Sequence, residues 1–430
     1  MLLSNADILL YRNHTWEVLK NGYIGVAGDT VAYIGAQKPE ADFGPEKDLS
    51  GHLLMAGLYN MHTHTAMTLL RGVGSGLPLD RWLHEAMFPV EAKLTAPDIS
   101  VGTRLAMMEM LASGVVSFTD MYDQSRIAVE EVVQAGMKAN LNRPILGFDP
   151  SEAYEKSFRV QESLAFHRDC NGAGGGRILA DFAIHAEYTS YEALIRPYAE
   201  DCKRRNARMH LHLSETRKEH GECKARYGKT PAKWFFDLGV FDNPTIAAHC
   251  VWVEPEDIEL IKEKGVTCVH NPSSNMKLGS GFMPIQTLLE KGINVTIGTD
   301  GAASNNNLNM FEEIHLASVL HNGYTGDPTI VNPEELLTMA TINGARAQGR
   351  PDCGELAVGK KADIIAVNMD APHLIPVYDI PALLTYSAQA ADVKMTMVNG
   401  KILYENGQYY TIDYEKVKYD LKQTTDRLFG

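Results

Sequence analysis

Short apolar segments alternate with amphipathic helical patterns through the middle of the chain. Stretches such as DISVGTRLAMMEMLASG and RIAVEEVVQAGMKA carry apolar residues at helical spacing and separate several strand-like segments. The strand candidates, in order, are GLYNMHTH, VVSFTDM, ANLNRPIL, ILADFAIHA, RMHLHLSE, TIAAHCV, VTCVHNP and NVTIGTDG. Eight strands that alternate with helices predict an α/β fold of the (β/α)8 TIM-like barrel type, and a doubly wound open sheet is the alternative.

Both ends of the chain show another pattern, with short strands and tight turns. The strand candidates there are ADILLY, GYIGVAG, TVAYIGA and HLLMAGL at the start, and ADIIAVNM and VKMTMVNGKILYENGQYY at the end. The Asn399–Gly400 dipeptide predicts a two-residue hairpin turn. We therefore expect residues 1–55 and 355–430 to form one composite β-sandwich beside a barrel of residues 56–354.

Composition limits the possible partners and the compartment. Apolar residues make up 45% of the 430 residues and charged residues 22%, which is typical of a globular protein with a large core. The net charge of −14 argues against nucleic acid as a partner. The six cysteines form no C-x-x-C pair, which favours reduced thiols. Neither a signal peptide nor an apolar run of about 18 residues is found, so we expect a cytoplasmic protein without membrane partners.

Histidines and one aspartate stand at the ends of the predicted strands, where barrel enzymes place their chemistry. His62 and His64 alternate on the first strand, so both imidazoles point to the same face. His212 on the fifth strand and Asp300 after the eighth would join them at one rim. Three imidazoles and a carboxylate suit one divalent metal ion per subunit, zinc first, with iron or manganese as alternatives. Such an ion would lower the pKa of a water molecule, whose proton Asp300 would accept.

Several neighbouring groups compete for roles at this rim. Glu215 follows His212 by three residues and suits a proton carrier between water, substrate and leaving group. His249 is better placed to bind the attacking oxygen than to act as a fourth imidazole ligand. His210 forms a second H-x-H pair with His212, and we assign it to a lower barrel layer or to a hydrogen bond. His270 fits a structural role and a role in supporting the ligands equally well.

Four motifs, MHTHTAMTLLRG, HLHLSET, AAHCVWV and GTDGAASNN, resemble those of the amidohydrolase superfamily, and the resemblance extends over nearly the whole chain. Members with two metal ions often use a carboxylated lysine from the fourth strand, and residues 178–188 contain no lysine. The resemblance therefore implies a single-metal site and the deaminase branch rather than amide hydrolysis. Within that branch the chain is most similar to the 5-methylthioadenosine/S-adenosylhomocysteine deaminase group.

This resemblance also implies a set of substrate contacts. The segment LPLDRWLHEAMFPVEAKLT is similar to the one that carries the group's tryptophan and ribose-binding glutamate. His185 matches the histidine that contacts the base. Residues 150–176 match nothing in the group, so contacts from that segment stay open. The implied substrate-binding residues are Trp82, Glu91, Arg143, His185, Glu215, Asp300 and Ser304.

The function that the resemblance implies is hydrolytic deamination of an adenine nucleoside with a 5′ substituent. Glu215 would protonate N1, His249 would steady the attacking oxygen, and Asp300 would return its proton to the departing amine. The alternative is a mononuclear relative acting on another ring, such as guanine or a triazine, and Glu91 distinguishes them because a free base has no ribose. A catalytically silent metal-binding protein is disfavoured by the complete residue set. The resemblance further implies a homo-oligomer and a small-molecule nucleoside substrate.

Overall fold

The computed structural model describes residues 1–430, which form two β-sheets and the helices around them. The strands are β1 Leu2–Arg12, β2 Thr15–Ala27, β3 Thr30–Gly35, β4 Glu46–Asp48, β5 His52–Ala56, β6 Leu58–Thr63, β7 Val115–Met121, β8 Lys138–Ile145, β9 Ile178–Ile184, β10 Met209–Leu213, β11 Thr245–His249, β12 Thr267–His270, β13 Val295–Ile297, β14 Ile364–Asn368, β15 Val393–Val398, β16 Lys401–Glu405 and β17 Gln408–Tyr409.

The helices include a short π-helical segment, Trp82–Met87, between the first two α-helices. The α-helices are α1 Leu79–Arg81, α2 Phe88–Glu91, α3 Ala96–Ala112, α4 Ser125–Ala135, α5 Phe158–Cys170, α6 Glu192–Arg204, α7 Arg217–Tyr227, α8 Pro231–Asp237, α9 Pro255–Lys264, α10 Pro272–Lys277, α11 Ile285–Glu290, α12 Met310–Thr325, α13 Pro333–Ala340, α14 Ile342–Gln348, α15 Ile380–Tyr386 and α16 Tyr414–Phe429. None of them combines the length and the apolar character that crossing a membrane requires.

Strands β6 to β13 form a parallel sheet in chain order that closes almost completely into a barrel. The N–H of Asp300, just after β13, donates to the carbonyl oxygen of His62 on β6 at 2.8 Å, and the N–H of Thr299 donates to Oδ1 of Asn60 at 2.9 Å. Strands such as β6, β7 and β11 are buried on both faces, because side chains fill the barrel interior and helices cover its outside. The predicted (β/α)8 barrel is confirmed, and the open-sheet alternative is wrong.

The remaining nine strands come from both ends of the chain and form one mixed sheet. Its strand order is β17-β16-β15-β14-β5-β1-β2-β3, with β4 paired to β1, and β14 joins the two chain ends by pairing antiparallel to β5. The predicted hairpin turn lies at Asn399 and Gly400, with φ angles of 47° and 73°. Only glycine fits the second position, since a Cβ there would lie 2.2 Å from the carbonyl oxygen of Gly28.

The chain passes from the composite sheet into the barrel at Gly57 and returns between α14 and β14. The division of the chain at residues 55 and 355 stays a prediction about domains. The C-terminal segment also contains two helices that the sequence analysis did not predict: α15 packs on α12 and α13, and α16 packs on α3. The end of the chain is therefore partly a covering for the barrel.

Candidate active site

Four imidazoles meet at the carboxyl ends of β6, β10 and β11. Their ring centroids are 4.8 to 5.5 Å apart in the close pairs formed by His62, His64, His212 and His249. Three of the rings are held through Nδ1, which leaves Nε2 free for another partner. The bonds are His64 to the carbonyl oxygen of Met121 (2.7 Å), His212 to the carbonyl oxygen of His185 (2.7 Å) and His249 to Oδ1 of Asn275 (2.8 Å).

Asp300 brings a carboxylate to the same point. Its Oδ1 lies 3.2 Å from Nε2 of His64 and 3.4 Å from Nε2 of His62, and the latter nitrogen is buried without a hydrogen-bond partner. Its Oδ2 accepts hydrogen bonds from Ser274 Oγ (2.6 Å) and Ser304 Oγ (2.9 Å), which fix the carboxylate. The donor atoms form two overlapping sets within 4.8 Å: His62, His64 and Asp300, and His62, His212 and His249. This donor chemistry fits a divalent metal ion.

Burial and charge set the protonation of these groups. Burial lowers the pKa of His62 to about 4 and that of His212 well below its ordinary range. Burial would also lower the pKa of His64, but its hydrogen bond to Asp300 and the charge of that carboxylate raise it to about 9. Burial opposes ionisation of Asp300, yet the adjacent His62 and His64 imidazoles hold its pKa well below the usual value. An anionic carboxylate thus faces the neutral imidazoles of His62 and His212 and a protonated His64, whose proton a metal ion would displace on binding.

The backbone is left-handed where the site residues leave their strands. Ser214 after β10, His249 and Cys250 at the end of β11, and Asp300 after β13 have φ angles of 47°, 73°, 48° and 62°. Non-glycine residues rarely adopt this conformation, and they keep it only where the surrounding structure fixes it. Elsewhere in the chain the non-glycine residues with positive φ are asparagines and His14, so the residues that tolerate this conformation poorly lie mainly at the rim.

Glu215 lies beside His249 at the edge of this cluster. Its Oε2 is 3.8 Å from Nε2 of His249, and its Oε1 accepts a hydrogen bond from Ser280 Oγ at 3.3 Å. Its backbone N–H donates to Oε2 of Glu219 at 2.7 Å, which positions the residue at the start of α7. Burial raises the pKa of Glu215 above its ordinary value. The raised pKa favours a role in proton transfer.

A cavity of about 340 Å³ opens above the cluster and includes most of the predicted substrate contacts in its wall. Trp82 contributes from the π-helical segment, and Glu91 lies at the end of α2, where its Oε1 accepts a hydrogen bond from the Tyr122 hydroxyl at 2.8 Å. Burial raises the pKa of Glu91. The predicted residues in the wall are His64, Trp82, Glu91, His185, His212, Glu215, His249, Asp300 and Ser304.

Arg143 does not line the cavity. It pairs with Asp123 and Glu162, at 3.4 Å in each case, and stacks its guanidinium over the Phe158 ring. Arg159, from α5, is the arginine in the cavity wall, and it also binds Asp123. It belongs to the 150–176 segment, for which the sequence offered no match and where nothing in the spacing marks it.

Other side chains near the site have clear partners, and two of them were ambiguous in the sequence. His210 makes the hydrogen bond that was one of its two predicted roles, with Nε2 3.0 Å from Nδ1 of His62. His270 places its Nε2 3.0 Å from Nε2 of His321 on α12. Tyr122 was not predicted, although its position directly after β7 is the rim position that His64 has after β6.

The fold and the rim together define a class of enzyme, the barrel hydrolases that work with a divalent metal ion. A model of the Amidohydrolase family matches residues 53–403. The chain belongs to this family, so the family resemblance that its motifs predicted is confirmed.

Individual relatives match along their whole length. A 5-methylthioadenosine/S-adenosylhomocysteine deaminase from Acetivibrio thermocellus is 41% identical over 432 residues, which cover 100% of this chain and 99% of the relative. A 5′-deoxyadenosine deaminase from Methanosarcina acetivorans is 42% identical, over 100% of this chain and 98% of its own. The crystal structure of an adenosine deaminase from Xanthomonas campestris with bound zinc superposes with a TM-score of 0.92 at 32% identity, covering 99% of this chain and 98% of that one.

Proposed function

We propose that the protein is an aminohydrolase that converts adenine nucleosides carrying a 5′ substituent into the inosine analogues and ammonia. The observation that carries this proposal is one cavity whose wall holds both Glu91, suited to a ribose, and the imidazole–carboxylate cluster with Glu215. The relatives named as deaminases of 5-methylthioadenosine, S-adenosylhomocysteine and 5′-deoxyadenosine support the same substrate class.

We propose that His62, His64, His212 and Asp300 hold one divalent ion per subunit, with zinc as the first choice and iron or manganese as alternatives. The buried, unpartnered Nε2 of His62 and the Nδ1 bonds that direct the other rings support this set. When bound, the ion lowers the pKa of water so that a nucleophile forms at neutral pH. His249 stays outside the ligand set and holds the attacking oxygen by a hydrogen bond at Nε2.

Two carboxyl groups then move the protons. Glu215, whose pKa burial raises, gives a proton to N1 of the purine, which makes C6 more electrophilic. Asp300 accepts the proton of the attacking water and passes it to the amine at C6, which leaves as ammonia. The second proton of that water returns from the C6 hydroxyl to Glu215 as the carbonyl group of the inosine product forms. The two serine hydroxyls on Oδ2 of Asp300 keep the carboxylate in place during both transfers.

The remaining wall residues hold the nucleoside. Glu91 accepts hydrogen bonds from the ribose hydroxyls, Trp82 offers a flat apolar surface, and His185 contacts the base. Ser304 contacts the substrate near Asp300. Arg143 stays a predicted contact. To reach the cavity it would have to leave its two carboxylate partners, Asp123 and Glu162.

Arg159 is the cavity-wall cation best suited to an anionic 5′ substituent, because the other basic groups in the wall are histidines. A carboxylate on the 5′ substituent, as in S-adenosylhomocysteine, would compete with Asp123 for this guanidinium. Methylthioadenosine has no such group. Arg159→Met should therefore lower kcat/KM for S-adenosylhomocysteine more than for methylthioadenosine.

Ammonia release by the zinc-loaded enzyme tests the proposal directly. The panel consists of methylthioadenosine, S-adenosylhomocysteine, adenosine, 5′-deoxyadenosine, adenine and guanine. We expect the 5′-substituted nucleosides to be turned over with the highest kcat/KM. Turnover of guanine or adenine alone would favour the alternative, an enzyme for a free ring, and would remove the ribose role of Glu91.

We also propose that the protein forms a homo-oligomer, as the family resemblance implies. Light scattering of the purified protein measures the mass in solution. A mass equal to one chain of 47.5 kDa would contradict this proposal.

A further inference from the structure

A chain of three buried polar side chains runs from β8 through the barrel interior to the first histidine of the cluster. Nδ2 of Asn142 lies 3.0 Å from Nδ1 of His210, and Nε2 of His210 lies 3.0 Å from Nδ1 of His62. All three side chains are fully buried, and the two imidazole planes are perpendicular. No carboxylate hydrogen-bonds to Nδ1 of His62 or to either ring nitrogen of His210, so these links join neutral groups whose proton positions depend on one another.

Binding of a metal ion by His62 would determine which ring nitrogen carries the proton in both His62 and His210. A metal ion binds the lone pair of an imidazole nitrogen, so a ligating Nε2 of His62 leaves the single ring proton on Nδ1. That N–H points at Nε2 of His210, which must then be the bare, accepting nitrogen. The proton of His210 is consequently on Nδ1, and it points at the side-chain amide of Asn142.

The side chain of Asn142 can accept a hydrogen bond from Nδ1–H of His210 only through its oxygen. As placed, its NH2 group faces His210, and its Oδ1 is buried without a hydrogen-bond partner. The oxygen and the NH2 group of a carboxamide are nearly the same size, so a 180° turn exchanges them without new space. After this rotation the side-chain oxygen of Asn142 accepts a hydrogen bond from Nδ1–H of His210, and the NH2 group no longer faces that N–H donor.

We propose that Asn142 is a positioning residue that, through His210, holds His62 in the tautomer that leaves Nε2 free to bind the metal ion. This inference rests on the proposed function, since it takes His62 as a ligand. In the loaded enzyme, hydrogen-bond donation runs from His62 to His210 to Asn142. Each imidazole carries one proton in this arrangement and in the reverse one, so reversal of the chain neither takes up nor releases protons overall.

Zinc affinity of three variants separates this role from simple filling of space. Asn142→Asp keeps an accepting oxygen toward His210, whereas Asn142→Leu is similar in size and offers none. Asn140→Leu is the matched control, because Asn140 lies two residues earlier on β8, is equally buried and bonds to Asp181, Gln348 and Arg350 rather than to His210. Dissociation constants come from competition with a chromophoric chelator at one pH.

We expect Asn142→Leu to weaken zinc binding about 10-fold, the lower end of the range found when a direct partner of a ligating histidine is removed, because Asn142 acts through His210. Asn142→Asp and Asn140→Leu should stay within about threefold of the wild type. A purely structural amide would give the opposite order for the two Asn142 variants, because leucine is easier to bury than a charge. Wild-type affinity in Asn142→Leu, or weaker binding by Asn142→Asp than by Asn142→Leu, overturns the proposal.

The imidazole nitrogen chemical shifts of the zinc-loaded wild type give a readout that needs no stable Asn142 variant. With 15N-labelled histidine, the His210 ring signals are identified by their loss in His210→Gln. We expect a proton on Nδ1 of His210. A proton on Nε2 of His210 contradicts the proposed donation from His62 to His210 to Asn142. His62→Ala tests separately whether His62 is a ligand. Wild-type zinc affinity in that variant overturns both the ligand set and the positioning role of Asn142. Weakened zinc binding in His62→Ala together with wild-type affinity in Asn142→Leu overturns the positioning role alone.

Discussion

Asp300 has both oxygens engaged. Oδ1 faces two imidazole nitrogens and accepts the N–H of Gly301 at 2.7 Å, while two serine hydroxyls bind Oδ2. These partners fix the orientation of the carboxylate before a substrate binds. Such preorganisation lowers the cost of reaching the transition state.

Loss of either His64 or Asp300 should abolish turnover while the fold survives. We expect kcat to fall at least about 1,000-fold in His64→Ala and Asp300→Ala, because the activated water is lost with the ion. Deaminase assays, zinc content and circular dichroism measure activity, loading and fold. His315→Ala, a histidine on α12 that is remote from the cluster, is the control and should keep wild-type activity. Near-normal turnover in a zinc-loaded site variant would refute the assignment.

Glu91 should determine how strongly the enzyme depends on the ribose hydroxyls. Glu91→Gln replaces one accepting oxygen by a donor, and we expect kcat/KM for adenosine to fall about 100-fold. The wild type should discriminate strongly against 2′,3′-dideoxyadenosine, and the variant should discriminate much less. Tyr122→Phe removes only the hydroxyl that holds Glu91 and should have a smaller effect. Equal discrimination in Glu91→Gln and the wild type would remove the ribose role.

At the scale of elements, closure of the barrel and assembly of the site are the same event. The hydrogen bond from the Asp300 N–H to the carbonyl oxygen of His62 lies in the seam between the last and first barrel strands. The chain contributes His62 and Asp300 from positions more than 200 residues apart, and only closure brings them together. A sheet left open at this edge would hold the histidine pair without its carboxylate.

Part of this arrangement could be predicted from the sequence, because strand periodicity and strand ends are local properties. The alternation of His62 and His64 and the polar ends of the later strands placed the cluster residues at one rim. Arg159 could not be found in this way, because its approach to the cavity depends on where α5 packs. Helix α16 has a signal in the sequence that was overlooked, because Val417, Leu421, Thr424 and Leu428 follow helical spacing after Asp413, which caps the helix.

The His270–His321 pair attaches α12 to β12 and should make the fold sensitive to acid. Burial lowers the pKa of His321 to about 4, below the roughly 6.5 of an unfolded chain. The unfolded state therefore binds more protons between these values, and stability should fall as the pH drops from about 6.5 through 4. Urea unfolding at pH 7 and pH 5 should show a smaller loss in His321→Gln, whose amide can still donate to Nε2 of His270 without titrating. His14→Gln, at an exposed histidine, should behave as the wild type.

At the scale of the whole molecule, the composite sheet joins the barrel at the end opposite the site. Lys138, the first residue of β8, forms a buried ion pair with Asp363, which directly precedes β14. The other carboxylate oxygen of Asp363 accepts the N–H of Asn399 in the hairpin turn at 2.9 Å, and its carbonyl oxygen accepts the N–H of Gly57. Asp363 thus connects β8, the crossover into β6 and a hairpin of the composite sheet. Chemistry at the upper rim and attachment at the lower rim can therefore vary separately.

Removing one partner of this ion pair should destabilise the protein as a whole. Lys138→Met leaves a buried carboxylate without its counter-ion, which costs about 3–5 kcal/mol of unfolding free energy. The double variant Lys138→Met/Asp363→Asn removes the charge but keeps an oxygen for the Asn399 N–H, so most of this loss should be recovered. Urea unfolding measures both, with Lys416→Met in the exposed Lys416–Asp420 pair as the control, expected to change stability by less than about 0.5 kcal/mol. If the double variant were as unstable as Lys138→Met, compensation of a buried charge would not be the main role of the ion pair. The attraction between Lys138 and Asp363 would itself stabilise the attachment of the sheet to the barrel.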